Sequence, residues 1–184
     1  MQQTCIALLR GINVGGNNSV PMAALRQRLA DAGLEGVKTY IQSGNVVFNT
    51  SISCREALAQ LIADAVERHF ACRPAVLVLT RDSLATVLRA NPFVDADLAD
   101  NRIHLFFLAE APAAADVSAA MAMASDTEAC VLSNDVFFLL APDGIGRSKL
   151  AARAESLLRV TATARNLRTV RKLHALATTI AKPA

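Results

Sequence analysis

The order in which strand and helix patterns alternate constrains the fold of this chain more than any other feature of the sequence. In the first 81 residues, short apolar runs typical of strands alternate with longer stretches whose apolar residues recur at helical spacing. The predicted elements are strand Cys5–Leu9, a helix that carries Met22, Leu25 and Leu29, strands Val37–Gln42 and Asn45–Asn49, helix Arg55–Phe70 and strand Ala75–Thr80. This order, β-α-β-β-α-β, is that of a ferredoxin-like fold.

Polar residues stand where the N-terminal caps of the helices in this part of the chain are expected. Ser and Asp side chains accept hydrogen bonds from the first N–H groups of a helix, which have no partner inside the helix. The predicted caps are Ser19 for the first helix, Ser53 for the second, and Asp82 for a short helix over Asp82–Arg89.

A second round of the same order follows an acidic linker that contains Asp95, Asp97 and Asp100. Its predicted elements are strand Arg102–Leu108, helix Ala113–Ala124, strands Glu128–Leu132 and Val136–Ala141, helix Ser148–Leu158, a candidate edge strand Val160–Ala164 and a basic amphipathic helix over Asn166–Ile180. We therefore expect an α+β protein with two ferredoxin-like (βαββαβ) halves plus a C-terminal helix. The predicted boundaries are 1–81 for the first half, 82–101 for the short helix and linker, and 102–184 for the second half.

The first strand runs directly into a loop rich in glycine and asparagine, Arg10–Asn18. Such a loop offers backbone N–H groups and the start of a helix to an anion, although the glycines could equally serve only to turn the chain. In a ferredoxin-like half this loop lies at the same end of the sheet as the turn between the second and third strands, so we expect it beside Ser43-Gly44-Asn45. The candidate ligand-binding residues are Arg10, Gly11, Asn13, Gly15, Gly16, Gln42, Ser43 and Asn45.

A second glycine-containing loop, Pro142–Lys149, opens the penultimate predicted helix, with Ser148 as the expected cap. Two glycines and two flanking cations fit an anion cradle, but they also fit a simple turn, and both interpretations stay open. The candidate residues for this second anion site are Gly144, Gly146, Arg147, Ser148, Lys149, Arg165, Asn166 and Arg168.

Charge is spread unevenly, although the 184-residue chain carries a net charge of only +3. Residues 147–172 contain eight basic residues and one acidic residue, whereas residues 82–146 contain two basic and ten acidic residues. The basic region could attract an anionic partner such as a nucleic acid, or it could be a solvated face. Aromatic residues make up only 4% of the chain, which disfavours base stacking.

Several classes of function lack the residues that they need. The four cysteines and three histidines form no metal-binding spacing, and no Ser/His/Asp or Cys/His set is recognisable. We therefore predict no metal, no cofactor and no catalytic residue, and whether the chain is an enzyme stays open. No uncharged run approaches the ~20 residues of a membrane helix, and Arg10 interrupts the apolar N-terminal segment, so we expect a cytoplasmic protein without membrane contact.

Five blocks distributed over nearly the whole chain closely resemble the bacterial family called domain of unknown function 1697. The blocks are Ile6–Gly16, Tyr40–Phe48, Asn91–Phe93, Pro142–Leu150 and Thr163–Val170. The chain departs from the family pattern near Ser19, where a Lys is usual, and at Leu167, where an aromatic residue is usual. The resemblance implies an α+β fold with ferredoxin-like parts in a cytoplasmic protein, and it implies no reaction.

The leading functional hypothesis is a pocket for a small phosphate- or carboxylate-bearing ligand, formed by the Arg10–Gly16 loop and the Ser43–Asn45 turn. The alternative is nucleic-acid binding through the basic region Arg147–Lys172. The oligomeric state stays open between monomer and homodimer, because ferredoxin-like sheets can pair through an exposed edge or face.

Overall fold

The computed structural model of the chain describes residues 2–94, 96 and 99–180. Asp95 and Asp97 of the predicted acidic linker lie outside the described residues. The chain divides into two units, Met1–Ala85 with Lys172–Ala184, and Thr86–Arg171. The boundaries predicted above, at residues 81 and 102, stay a prediction.

The first unit contains a four-stranded antiparallel sheet with the order β2-β3-β1-β4. Its strands are β1 (Gln3–Leu9), β2 (Glu35–Tyr40), β3 (Asn45–Thr50) and β4 (Val76–Thr80), and its helices are α1 (Met22–Asp31) and α2 (Arg55–Phe70), followed by α3 (Arg81–Arg89). Because side chains alternate along a strand, Cys5, Ala7 and Leu9 of β1 lie on one face and enter the core that α1 and α2 complete. Leu25 of α1 and Ile62 of α2 are fully buried in that core.

The second unit repeats this architecture, with the sheet order β6-β7-β5-β8. Its elements are β5 (Ile103–Leu108), α4 (Ala114–Met121), β6 (Ala129–Ser133), β7 (Val136–Leu140), α5 (Lys149–Leu158), β8 (Ala162–Asn166) and the start of α6 (Leu167–Ile180). Phe106 and Phe137 pack edge to face, with Leu150 and Leu158 of α5 in the same core. The predicted α+β fold with two ferredoxin-like halves and a C-terminal helix is therefore confirmed.

Three of the predicted helix caps are wrong, because other residues stand at the cap positions. Helix α1 begins after Pro21, whose side chain makes no capping hydrogen bond, and Ser19 lies two residues before that position. The cap of α2 is Cys54, whose Sγ accepts a hydrogen bond from the Ala57 N–H at 3.5 Å. Helix α3 begins at Arg81, one residue early, and the Thr80 hydroxyl accepts from the Ser83 N–H at 3.0 Å in place of Asp82.

Two strands are displaced by two residues from their predicted positions. Strand β2 ends at Tyr40, because Ile41 has a left-handed backbone (φ +49°) and belongs to the turn. Strand β8 begins at Ala162, because Arg159 ends α5 in the left-handed region (φ +54°) and the next two residues complete the connection. The expectation that β8 is an edge strand is confirmed. The cap of α5 is also as expected, since the Ser148 hydroxyl accepts from the Ala151 N–H at 2.9 Å.

His104 is a buried titratable residue in the centre of the second unit. It lies on β5 opposite Leu139 and is only 6% exposed. Its Nε2 atom has no hydrogen-bond partner within the described part of the chain, and burial lowers the pKa of the imidazole below its usual value. The folded protein therefore favours the neutral ring.

We predict that the free energy of unfolding falls as the pH drops from 7 to 5, because the unfolded chain, with a histidine pKa of about 6.5, binds the proton more readily than buried His104 does. The stability supplied by the neutral ring is complete above the unfolded pKa and is lost below it. The measurement is urea unfolding at several pH values for the wild type and His104→Gln. His69→Gln, at an exposed position in α2, is the control and should keep the wild-type slope. An unchanged pH slope in His104→Gln would contradict the prediction.

Candidate functional site

The loop that follows β1 lies beside the turn that precedes β3, as the topology predicts. The Leu9 N–H donates to the Gly44 carbonyl at 2.7 Å, and Leu8 pairs with Asn45 across the two strands. The predicted convergence of the two bends is thus confirmed. We call the surface formed by residues 10–18 and 41–44 the N-terminal rim.

Asn13 connects the two bends of the N-terminal rim through its side chain. Its Nδ2 atom donates to the carbonyls of Val20 and Gln42, both at 2.9 Å, and its Oδ1 atom accepts from the Val20 N–H at 2.7 Å. Asn13 itself adopts a left-handed backbone, with φ +54°. The side chain is therefore a positioning group that holds the loop, the approach to α1 and the turn in one geometry.

Residues 13–18 form a tight β-hairpin that projects from the rim. The Asn13 N–H donates to the Asn18 carbonyl and the Asn17 N–H to the Val14 carbonyl, both at 3.0 Å. Gly15 and Gly16 complete the turn with φ values of +58° and +80°, as a type I′ turn requires. An added Cβ at either glycine would meet nothing within 4 Å, so these glycines serve the backbone conformation and not a close contact. Their N–H groups have no acceptor in the described part of the chain.

Gly44 is the last residue of the rim, and Asn45 follows it at the start of β3. A Cβ at Gly44 would lie 2.8 Å from both Cβ and O of Leu9, so only glycine fits there, and its φ is +74°. Asn45 is fully buried and donates to the Tyr40 carbonyl at 3.1 Å and the Ser43 hydroxyl at 3.0 Å. Both residues therefore support the turn from below, and ligand contact by Asn45 stays a prediction.

The exposed groups of the rim are partly polar and partly apolar. The side chains of Arg10 and Gln42 are exposed, and Ser43 is half-buried. Val14 and Ile41, which were not among the predicted site residues, belong to the same two segments and are 61% and 52% exposed. Their sequence signal is weak, since one β-branched residue between Asn13 and Gly15 indicates a short strand as readily as an exposed surface.

The second predicted anion site borders a cavity of about 550 Å³ in the second unit. Its lining residues are Ser125, Asp126, Thr127, Glu128, Ala141, Asp143, Gly144, Arg147 and Ser148. We call it the carboxylate cavity, because its lining includes three carboxylates and a single cation, a balance that disfavours an anion.

The other members of the second predicted site have different structural roles. Among the described residues, the lining does not include Gly146, Lys149, Arg165, Asn166 or Arg168. Asn166 caps α6, since its Oδ1 atom accepts from the Thr169 N–H at 2.9 Å. Burial lowers the pKa of the Arg165 guanidinium to about 10.

Comparison with known proteins assigns the chain to a family. The model of the family described as "Protein of unknown function (DUF1697)" matches residues 1–138. The chain belongs to this family. The matched part of this DUF1697 protein includes the whole N-terminal rim, and no curated protein matches the chain significantly.

A solved structure is similar to this DUF1697 protein over almost its full length. It is the conserved bacterial protein SP0830 from Streptococcus pneumoniae, with 26% sequence identity and a TM-score of 0.76. The similarity covers 96% of this chain and 99% of that one. Within the described residues, no helix is long and apolar enough to cross a membrane, and no group of three His, Cys, Asp or Glu side chains is placed to hold a metal ion.

We predict that Gly44→Ala destabilises this DUF1697 protein by about 2–4 kcal/mol, because the new methyl group would overlap Leu9 and the backbone would be strained. Gly16→Ala, at a similar φ but in open space, isolates the backbone contribution and should cost about 1 kcal/mol. Urea unfolding of both variants measures the difference. Equal losses would show that the contact with Leu9 is unimportant.

We also predict that Asn13→Ala lowers the free energy of unfolding by about 2–3 kcal/mol, because it removes three hydrogen bonds. The backbone groups of Val20 and Gln42 that bond to the Asn13 side chain then no longer have it as a partner. Asn17→Ala, in the exposed part of the same hairpin, should be within about 0.5 kcal/mol of the wild type. Hydrogen exchange should also accelerate at Val20, whose N–H bonds to Asn13. Wild-type exchange at Val20 in Asn13→Ala would argue against the bridging role.

Proposed function

We propose that the N-terminal rim binds a small anionic ligand that carries a phosphate or carboxylate group. The observation that carries the proposal is the bridge by Asn13, which donates to Gln42 across the two bends and so fixes the hairpin next to the turn. Groups held in one geometry bind a ligand with less loss of conformational entropy than mobile groups do. The ligand lies on an open surface, because the residues beneath the turn are tightly packed.

The charge of the rim favours an anion. Residues 10–18 and 41–44 contain Arg10 and no Asp or Glu. The guanidinium of an exposed arginine presents several N–H donors that match a carboxylate or a phosphate. The two segments therefore contribute one positive charge and no negative charge to this surface.

The backbone of the rim supplies further donors. Within Arg10–Asn18, the left-handed residues are Gly11, Asn13, Gly15, Gly16 and Asn18. Successive N–H groups around left-handed residues can converge on an anion, and such conformations are concentrated at functional sites. Three groups of the rim can donate hydrogen bonds to an anion, as N–H groups do at known anion sites. They are the backbone N–H groups of Gly15 and Gly16 and the exposed side-chain amide of Gln42.

The apolar side chains at the rim restrict the class of ligand. Val14 and Ile41 expose more than half of their surface beside the polar groups. An organic phosphate or carboxylate with an apolar portion would cover them, whereas inorganic phosphate would not. We therefore expect an organic ligand to bind more tightly than the inorganic ion.

The test is isothermal titration of phosphate, citrate and adenosine monophosphate into the wild type, Arg10→Gln and Arg68→Gln at constant ionic strength. We expect Arg10→Gln to weaken binding about tenfold, because a charge-assisted hydrogen bond is lost. Arg68→Gln makes the same charge change at an exposed position in α2 and should bind as the wild type does. Equal affinity in all three proteins, or equal losses in both variants, would refute the proposal.

The alternative, nucleic-acid binding through Arg147–Lys172, gains no support from the geometry. Arg171 pairs with Asp100 at 3.2 Å, and Arg159 pairs with Asp116 at 3.4 Å. These carboxylates reduce the positive potential that a phosphate backbone would meet. Nucleic-acid binding, like the cytoplasmic location and the choice between monomer and homodimer, stays a prediction.

A further inference from the structure

The carboxylate cavity has an excess of negative charge that its own lining does not neutralise. Asp126 makes no hydrogen bond or ion pair in the described part of the chain, and Arg147 forms no ion pair there. Glu128 accepts one hydrogen bond from the Ser125 N–H at 2.9 Å, and Asp143 accepts one from the Thr127 hydroxyl at 3.1 Å. Three carboxylates against one guanidinium leave a net charge that attracts a cationic group.

An open sheet edge begins where the cavity lining ends. Glu128 is followed directly by β6, the outermost strand of its sheet, which pairs only with β7 among the described strands. Alternate residues of such a strand direct their N–H and C=O groups away from the sheet, where they can pair with another strand. Ala129 and Val131 of β6 are exposed, so the edge is accessible.

Strand β6 also lacks the features that protect edge strands from pairing. Its sequence, Ala-Cys-Val-Leu-Ser, contains no charge and no proline. By contrast, the edge strand β2 carries Glu35 and Lys38 with an irregular register between them. The edge strand β4 exposes less surface than β6 does, since each of its residues is half-buried or buried.

We propose that β6 and the carboxylate cavity together bind an extended peptide segment that carries lysine or arginine side chains. The peptide backbone adds a strand to β6, as in other proteins that bind peptides at a sheet edge, and a cationic side chain enters the cavity. The cavity, of about 550 Å³, has room for such a side chain and its neighbours. The site is independent of the N-terminal rim and takes a ligand of the opposite charge.

A second copy of the same chain is a poorer occupant of this edge. The β6 strand of a second copy would bring no cation to the carboxylate cavity, because its sequence, Ala-Cys-Val-Leu-Ser, is uncharged and the residue before it is Glu128. Charge complementarity therefore favours a basic segment over self-pairing.

The test uses the full chain and a fluorescent peptide, Thr-Lys-Val-Lys-Val-Lys-Thr, whose binding is followed by fluorescence anisotropy at low, constant ionic strength. We expect the peptide to bind and its analogue with Glu at the Lys positions not to bind. The double variant Asp126→Asn, Asp143→Asn should bind the lysine peptide about fivefold more weakly. The control Asp31→Asn, Glu67→Gln makes the same charge change in the first unit and should bind normally.

Two further probes separate strand addition from simple charge attraction. Two further peptides are each N-methylated on one of the two sets of alternate residues. Only methylation of the set whose N–H groups face β6 should abolish binding. Cadaverine, a small diamine without a peptide backbone, should compete poorly. Failure of the lysine peptide to bind, equal binding of the glutamate peptide, equal losses in both double variants, tolerance of both N-methylated sets, or full competition by cadaverine would overturn the proposal.

Discussion

The pairing of β1 with β3 is the constraint on which the rest of the first unit depends. Strand β1 lies between β3 and β4, and its alternate residues Cys5, Ala7 and Leu9 face the helices. A slip of one residue would turn these side chains to the opposite face, so the apolar pattern specifies the register strongly. The same register places Leu8 opposite Asn45, and it therefore brings the loop after β1 next to the turn before β3. One alignment determines both the core and the candidate site.

The sequence predicts the fold and the convergence of the two bends because both follow from periodicity and topology. It does not predict the roles of the side chains at those bends. Asn13 and Asn45 have side chains of a type that often binds ligands. Each nevertheless donates hydrogen bonds to backbone carbonyls that lie nearby only in the folded structure. Three of the predicted helix caps are wrong for a related reason. Several polar residues stand near each helix start, and a shift of one or two residues, as from Asp82 to Thr80, decides which one reaches the free N–H groups.

The charges of the second unit show the same limit of sequence reasoning. Counted along the chain, residues 147–172 are strongly basic, and residues 82–146 are strongly acidic. In the structure the two segments interleave, so that Asp100 meets Arg171 and Asp116 meets Arg159. Likewise, Gly144 and Arg147 resemble an anion cradle until Asp126 and Glu128 join them from the turn before β6. A run of like charges in the sequence therefore indicates the electrostatic potential of a surface only when the fold shows which other charges lie beside it.

The cap of α2 has a practical consequence for chemical work on this protein. Cys54 is exposed, whereas burial raises the pKa of the Cys5 thiol to about 11 and also raises the pKa of the thiols of Cys130 and half-buried Cys72. A maleimide or iodoacetamide probe will therefore react preferentially at Cys54. Its sulfur is also the acceptor for the Ala57 N–H, so the attached dye will sit on the first turn of a helix that contributes to the core. Spectroscopic labels are better placed on an engineered cysteine in a background where Cys54 is replaced by serine, which keeps a cap at that position.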